Sequence, residues 1–208
     1  MLRYACSSLW LSVAFAGSLA ACTADDSFEP PAATQAAETT AGAAAQAQPA
    51  SAVIQLGASP AQLETIGAAR GGVALDATVL SSQVTSPGVV TAVHASFVET
   101  IETRPDGIEQ SWSFEHAPGA VGELEVIVGT SGIDYLSTTS EGLEFRRPGE
   151  IDVRYSHGVW IEANGNRTPV AARYDRGQIL LTVPTSLVAH SAYPAVLDPR
   201  IIVTPIIR

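Results

Sequence analysis

The chain has 208 residues, with 11 Lys plus Arg against 21 Asp plus Glu and a net charge of −10. That balance argues against nucleic acid and anionic lipid headgroups as partners, because both need clustered cations. Only two cysteines are present, Cys6 and Cys22.

The first 21 residues hold a single charge, Arg3, and an apolar run from Leu9 to Leu19. The run is shorter than the ~20 residues a membrane-spanning helix needs, and has the layout of a secretory signal. It closes on Leu19-Ala20-Ala21-Cys22. This tetrapeptide resembles the lipobox of bacterial lipoproteins. The resemblance implies that Leu19, Ala20 and Ala21 are read by the signal peptidase and that Cys22 becomes a lipidated N-terminus. Two acyl chains hold a protein stably on a membrane, each buried CH₂ contributing about 0.8 kcal/mol. Cys6 would leave with the signal, so no disulfide is available to the mature monomer. Removing Arg3 and no acid leaves ten Arg against 21 acids, a charge near −11.

Residues 23–50 are mostly Ala, Thr, Gln, Pro and a few acids, with Phe28 as the one large apolar side chain. Such a segment cannot offset its ordering entropy, so 22–50 is predicted to be a lipidated Cys followed by a disordered tether. As a flexible coil it would span about 30 Å root-mean-square. Residues 51–208 are predicted to form the folded body, long enough to bury about two thirds of its extended surface.

The body opens on a helix signal. Ser59 suits an N-cap, Pro60 the first helical position and Gln62 the capping-box position, while Leu63 and Ile66 supply an apolar face and Gly71-Gly72 a stop. A short helix is predicted over 60–69. Beyond it, apolar residues alternate with polar ones in five runs, around Leu124/Val126/Val128, Leu143/Phe145, Ile151/Val153/Tyr155, Val170/Ala172/Tyr174 and Ile179/Leu181/Val183. Period two marks half-buried strands. Pro148-Gly149, Asn164-Gly165 and Arg176-Gly177 separate them, Asn164-Gly165 suiting a type I′ turn. A meander is predicted over 142–183, with further strands near 89–103, 109–114 and 200–204. The fold class is therefore all-β, an antiparallel β-sandwich with a closed barrel as the alternative and one short N-terminal helix.

Three segments carry a second resemblance. Asp106-Gly107-Ile108-Glu109-Gln110-Ser111-Trp112, the stretch from Tyr155 to Arg173, and Tyr193-Pro194-Ala195-Val196-Leu197-Asp198-Pro199 occur in this order. Together they resemble the N-terminal modules of large, especially myxobacterial, surface proteins, which usually precede FG-GAP, kelch or similar propeller repeats. The resemblance covers roughly residues 100–204 and implies a β-rich fold at the cell surface. Glu162 stands where the pattern has Asp, and the repeats would begin where this chain stops, at Arg208. The resemblance brings no catalytic residues with it.

Catalytic and metal constellations are sparse. His94, His116, His157 and His190 are scattered, with no HExxH and no cysteine pair for zinc. Ser156-His157, His190-Ser191 and Asp198 supply the residue types of a hydrolase triad, without the Gly-x-Ser-x-Gly elbow. Glu123 and Glu125 share a strand face about 7 Å apart, a pair that suits glycoside chemistry but more often marks a solvated face. Gly71-Gly72 lacks the Lys of a phosphate cradle.

Trp160 and Asp198 remain as candidate binding residues. If Val159 and Ile161 face inward, Trp160 faces outward and marks a glycan or protein contact; burial under a helix or second sheet is the favoured alternative. The prolines at 194 and 199 predict an extended exit strand with Tyr193 and Leu197 in the core and Asp198 accepting backbone hydrogen bonds in a turn.

The expectation is a lipid-anchored envelope protein, held to the membrane through Cys22, with a non-catalytic sandwich that binds an envelope protein or glycan and needs no cofactor, metal or nucleic acid. Thr23, rather than Asp, after Cys22 points to the outer membrane. The alternatives are an envelope hydrolase or carbohydrate-active enzyme, and a remnant of a longer repeat protein.

Overall fold

The computed structural model describes residues 46–48, 53–56, 61–147 and 151–205. The lipobox residues, Ser59-Pro60, Pro148-Gly149 and most of the tether lie outside this set. In chain order the strands begin with β1 (Gln46–Gln48), β2 (Val53–Gln55), β3 (Gln62–Arg70), β4 (Val73–Ala74), β5 (Val79–Ser86) and β6 (Val89–His94). They continue with β7 (Val98–Arg104), β8 (Gly107–Phe114), β9 (Leu124–Ser131), β10 (Asp134–Thr138), β11 (Gly142–Arg147) and β12 (Ile151–Ser156). Then come β13 (Gly158–Ile161), β14 (Arg167–Val170), β15 (Ala172–Asp175), β16 (Gln178–Val183), the helix α1 (Thr185–His190), β17 (Ala195–Asp198) and β18 (Arg200–Pro205).

The strands form two open antiparallel sheets, a β-sandwich. One runs β1-β2-β3-β9-β16-β15, with β4 on β3. The other runs β5-β6-β7-β8, and the far edge of β8 is shared by β17 and β18. Outside these lie β13-β14 and β12-β11-β10 respectively. Alternation decides what faces the core: Ile108, Gln110, Trp112 and Phe114 of β8 are buried while the residues between them are half-exposed. The same rule holds for Leu124/Val126/Val128, Leu143/Phe145, Ile151/Val153/Tyr155 and Ile179/Leu181/Val183, as their period two requires. Trp112, Trp160, Tyr155, Phe114 and Phe145 are the bulkiest wholly buried side chains.

The predicted helix over 60–69 is instead strand β3. Its alternation is hidden by a β-bulge: Thr65 pairs with Val128 and Gly67 with Ile127, leaving Ile66 as the extra, half-exposed residue. A bulge shifts parity by one, so Leu63 is buried before it and Ala68 and Arg70 after it. That mixed spacing imitates an i, i+3 helical face. The helix that does form, α1, follows Pro184 and buries Val188. Strand pairing also begins earlier than Ser51, since β1 lies within the stretch expected to be tether.

The predicted meander is interrupted. Residues 167–175 form one extended run that leaves the second sheet at Val170 and joins the first at Ala172. Of the turns, Arg176 (φ 44°) and Gly177 (φ 84°) form the two-residue loop with both dihedrals positive. Asn164-Gly165 belongs to a longer loop in which Gly165 N–H donates to Glu162 O (2.8 Å) and only Gly165 has positive φ, 87°.

Candidate functional site

A chain of buried polar groups ties the sheets together behind a surface cleft. Thr65, set by the bulge in β3, faces β7 and β8 of the opposite sheet. Its hydroxyl donates to Glu99 Oε1 (2.8 Å) and accepts from Trp112 Nε1 (3.1 Å) and Gln110 Nε2 (3.2 Å). Gln110 Nε2 also donates to Glu99 Oε1 (2.7 Å), and Tyr155 OH donates to Gln110 Oε1 (3.3 Å). Glu99 and Gln110 are wholly buried. Burial, with the negative charge of Glu99 adding to it, pushes the Tyr155 phenol well above its ordinary range and keeps it a neutral donor.

His94 completes the network. Nε2 faces Glu99 Oε2 (3.3 Å) and Nδ1 faces Ala77 O (2.9 Å), both acceptors. Only the doubly protonated ring satisfies both contacts. Burial opposes that charge, but the bonds to Glu99 and Ala77 and the attraction of Glu99 outweigh it, and the His94 pKa is raised. The ring stacks on Phe97 with centroids 4.3 Å apart.

His94 and Phe97 stand at the base of an open cleft of about 410 Å³. Leu75, Val98 and Pro118 extend its apolar lining, and Ser96, Ser113, Glu115 and His116 give it polar groups. Arg70, buried at the end of β3, grips the adjoining loop through Pro118 O (2.6 Å) and Gly122 O (3.3 Å). The cleft wall is thus pinned from inside by a guanidinium on two carbonyls.

The second titratable group of note is Asp198. It sits at the end of β17 on the outer face of its sheet, with Glu109 of β8, Arg104 of β7 and Arg167 of β14 around it. Its Oδ1 is buried without a donor in reach, contrary to the expected backbone bonds in a turn. Burial, then the charge and hydrogen bond of Glu109, push its pKa up to about 6. A proton on Asp198 gives Glu109 a donor, while Arg104 Nε holds Glu109 from the other side (2.7 Å). The two carboxyl groups touch rather than flank a gap, whereas glycoside hydrolysis needs them about 5–9.5 Å apart.

Trp160 faces inward. It is wholly buried, its Nε1 donates to Ser191 Oγ (2.8 Å), and its ring packs on Phe114 and Tyr193. The outward orientation considered from the sequence fails because Ser156 and His157 both face away from the core where β12 bends into β13, which advances the phase by one residue.

That bend also explains the Ser-His pair. Arg200 N–H donates to Ser156 Oγ (2.7 Å) and Ala172 N–H to His157 Nδ1 (3.0 Å), which leaves the ring proton on Nε2 to donate to Thr139 O (3.2 Å). These side chains fill hydrogen bonds that the ladders lose at the bend and at the sheet switch. His190 Nδ1 donates to Ser186 O (2.7 Å) within α1. Glu123, just before β9, is exposed, and Glu125 on β9 is half-exposed. Among the described residues no group of three or more His, Cys, Asp or Glu is placed to hold a metal ion.

Sequence reasoning missed Thr65, Glu99 and Gln110. A signal existed for two of them. Glu99 shares parity with Phe97 and Ile101, and Gln110 with Ile108 and Trp112, so each is a polar residue on an apolar row. The segments behind the surface-module resemblance meet here: Gln110, Trp112 and Tyr155 share the network, and Glu109 meets Asp198. Compared with family models, with curated proteins and with solved structures, the chain matches none.

Proposed function

We propose that this chain is a lipid-anchored envelope protein whose sandwich serves as a binding or assembly module, taking a segment of an envelope protein or glycan into the cleft. One observation carries the reading: Leu19-Ala20-Ala21-Cys22 closes an apolar run too short to span a bilayer. The site chemistry is consistent with binding rather than turnover. His94 at the cleft base has both ring nitrogens engaged, so it offers no free base, and the cleft combines apolar walls with a few polar rim groups. Among the described residues no helix is long and apolar enough to cross a membrane.

Palmitate labelling of cells producing the full chain and its Cys22→Ser variant tests the anchor. Label and detergent-phase partitioning in the wild type, both lost in the variant, support it; an unlabelled wild type overturns it. Proteinase K on intact cells then separates the two orientations. Digestion places the sandwich on the surface, and protection until the outer membrane is opened places it in the periplasm.

A further inference from the structure

Between β4 of the smaller sheet and β5 of the larger one the chain crosses over as Leu75-Asp76-Ala77-Thr78. This crossing is one wall of the cleft. Leu75 lines it, and a Cβ on Gly119 of the opposite wall would lie 3.3 Å from Leu75 Cδ2. The two walls are held differently. Arg70 grips the loop with Pro118 and Gly122. The crossing is held by backbone bonds at its ends, Leu75 N–H donating to Ala68 O (2.8 Å) and Ala95 N–H to Thr78 O (3.0 Å). Between them, Ala77 O accepts from His94 Nδ1 (2.9 Å), a side chain in the cleft floor.

That middle tie depends on a proton. With both nitrogens protonated, His94 donates to Ala77 O and to Glu99 Oε2 together. A neutral ring has one N–H, and the carboxylate takes it. A bond to an anion is roughly twice as strong as one to a neutral carbonyl, and a bare Nε2 would set its lone pair against Glu99 at 3.3 Å. Nδ1 then meets Ala77 O lone pair to lone pair, and the contact turns repulsive. The ring is buried and stacked on Phe97, while Asp76 and Thr78 are exposed, so the crossing is what gives way.

We propose that His94 is a proton-operated latch on the cleft: the doubly protonated ring ties the Leu75–Thr78 wall to the floor, and loss of the Nδ1 proton lets that wall part from it. The latch rests on the binding reading above only for its consequence, that the occupant is held more tightly with the ring protonated than without. Burial opposes the charge, and the contacts with Glu99 and Ala77 outweigh it, so the ring titrates above its ordinary 6.5. Glu99 of β7 is the charge in contact with the ring. β5, the ladder neighbour of His94, has no ionisable side chain, and Tyr155 of β12 is linked to Glu99 through Gln110. Arg70 ends β3, Asp76 lies on the crossing, and Glu115 and His116 line the cleft from the loop after β8.

A nuclear magnetic resonance titration of the purified full chain from about pH 5 to about pH 9 tests the latch. The His94 ring signals and the amides of Ala77, Thr78 and Ala95 should move with one shared midpoint above 6.5, while the amide of Gly122, on the Arg70-held side, stays still. Hydrogen exchange at Ala95, corrected for its intrinsic rate, should quicken about threefold or more across that midpoint. In Glu99→Gln the ring and wall midpoints should fall together, and in His94→Gln the crossing should show no transition. A crossing that keeps still while His94 titrates overturns the proposal. So does one that follows the His116 midpoint instead, or one that still switches in His94→Gln. The titration is read on the protein alone, so failure of the latch is distinct from failure of the binding reading, which partner crosslinking decides.

Discussion

Replacing Thr65 with Val keeps the shape of the side chain and removes its hydroxyl, which isolates the polar staple between the sheets. Trp112 Nε1, on a wholly buried side chain, loses the acceptor it has at 3.1 Å. An orphaned buried donor costs about 1–3 kcal/mol. Glu99 loses the hydroxyl donor at 2.8 Å but keeps Gln110 and His94. A hydrogen bond to a charged group contributes about 1.5–3 kcal/mol. Thr65 is itself half-buried, so water recovers part of both losses, and the net cost is about 3 kcal/mol. For a domain of this size that lowers Tm by roughly 6–12 °C. Thermal and urea denaturation of the full chain read the change, with Thr65→Ser as the control that keeps the hydroxyl and should stay within ~1 kcal/mol. A Thr65→Val protein melting within about 2 °C of wild type would refute the idea that this hydroxyl joins the sheets.

Three further outcomes are expected. His94 and Asp198 both have folded pKa values above their ordinary ones, so each contributes stability that is present at low pH and lost as pH rises through the folded value. Tm should therefore fall as pH rises from about 4, and Asp198→Asn should remove the part of that fall lying between the ordinary value of 3.8 and about 6; a Tm that climbs with pH over this range contradicts the assignment. Gly142 has φ +144°, and a Cβ there would lie 2.1 Å from Tyr155 O, so Gly142→Ala should push β11 off β12 and cost more than ~2 kcal/mol. Gly165→Ala, with φ +87° and open space around it, isolates the dihedral effect and should cost only about 1 kcal/mol; equal losses in urea denaturation would rule out the steric argument. Ser113→Trp should fill part of the cleft from a half-exposed position on β8, leave the melt within ~0.5 kcal/mol, and abolish in-cell photocrosslinking to an envelope partner. Undiminished crosslinking would show that the partner binds elsewhere.

The all-β class was legible in the chain because a half-buried strand writes its burial as period two, and Leu124/Val126/Val128 or Ile179/Leu181/Val183 need no tertiary knowledge to be read. Arg176-Gly177 likewise separates two strands visibly, and closes a tight hairpin. What failed did so where a single residue shifts parity. Ile66 in the β3 bulge made a strand look like a helix; the outward pair Ser156-His157 also shifts the phase, so Val159 and Ile161 are the half-exposed residues and the favoured burial of Trp160 holds.

The candidate site was less legible, because it joins residues far apart in the chain. Thr65 reaches Glu99 across 34 positions and Trp112 across 47. Periodicity reports which side of its own strand a residue occupies and carries nothing about which side chain of another sheet it meets. His94 shows the same division. Its identity and inward parity are local facts, while its proton count follows from two acceptors, Ala77 O and Glu99 Oε2, that only the packed sandwich brings to its ring. Asp198, singled out from its place before a proline, acquires its raised pKa from burial and from Glu109 on a strand nearly ninety positions away. By itself the sequence determined the strand-forming stretches, several of their buried faces and the lipobox-like peptide, since each depends on neighbours within a few bonds. The tertiary structure decided the sheet order, the crossing at Ala171, the protonation of buried groups and the cleft, since these depend on the low-dielectric interior that exists only once the two sheets close on each other.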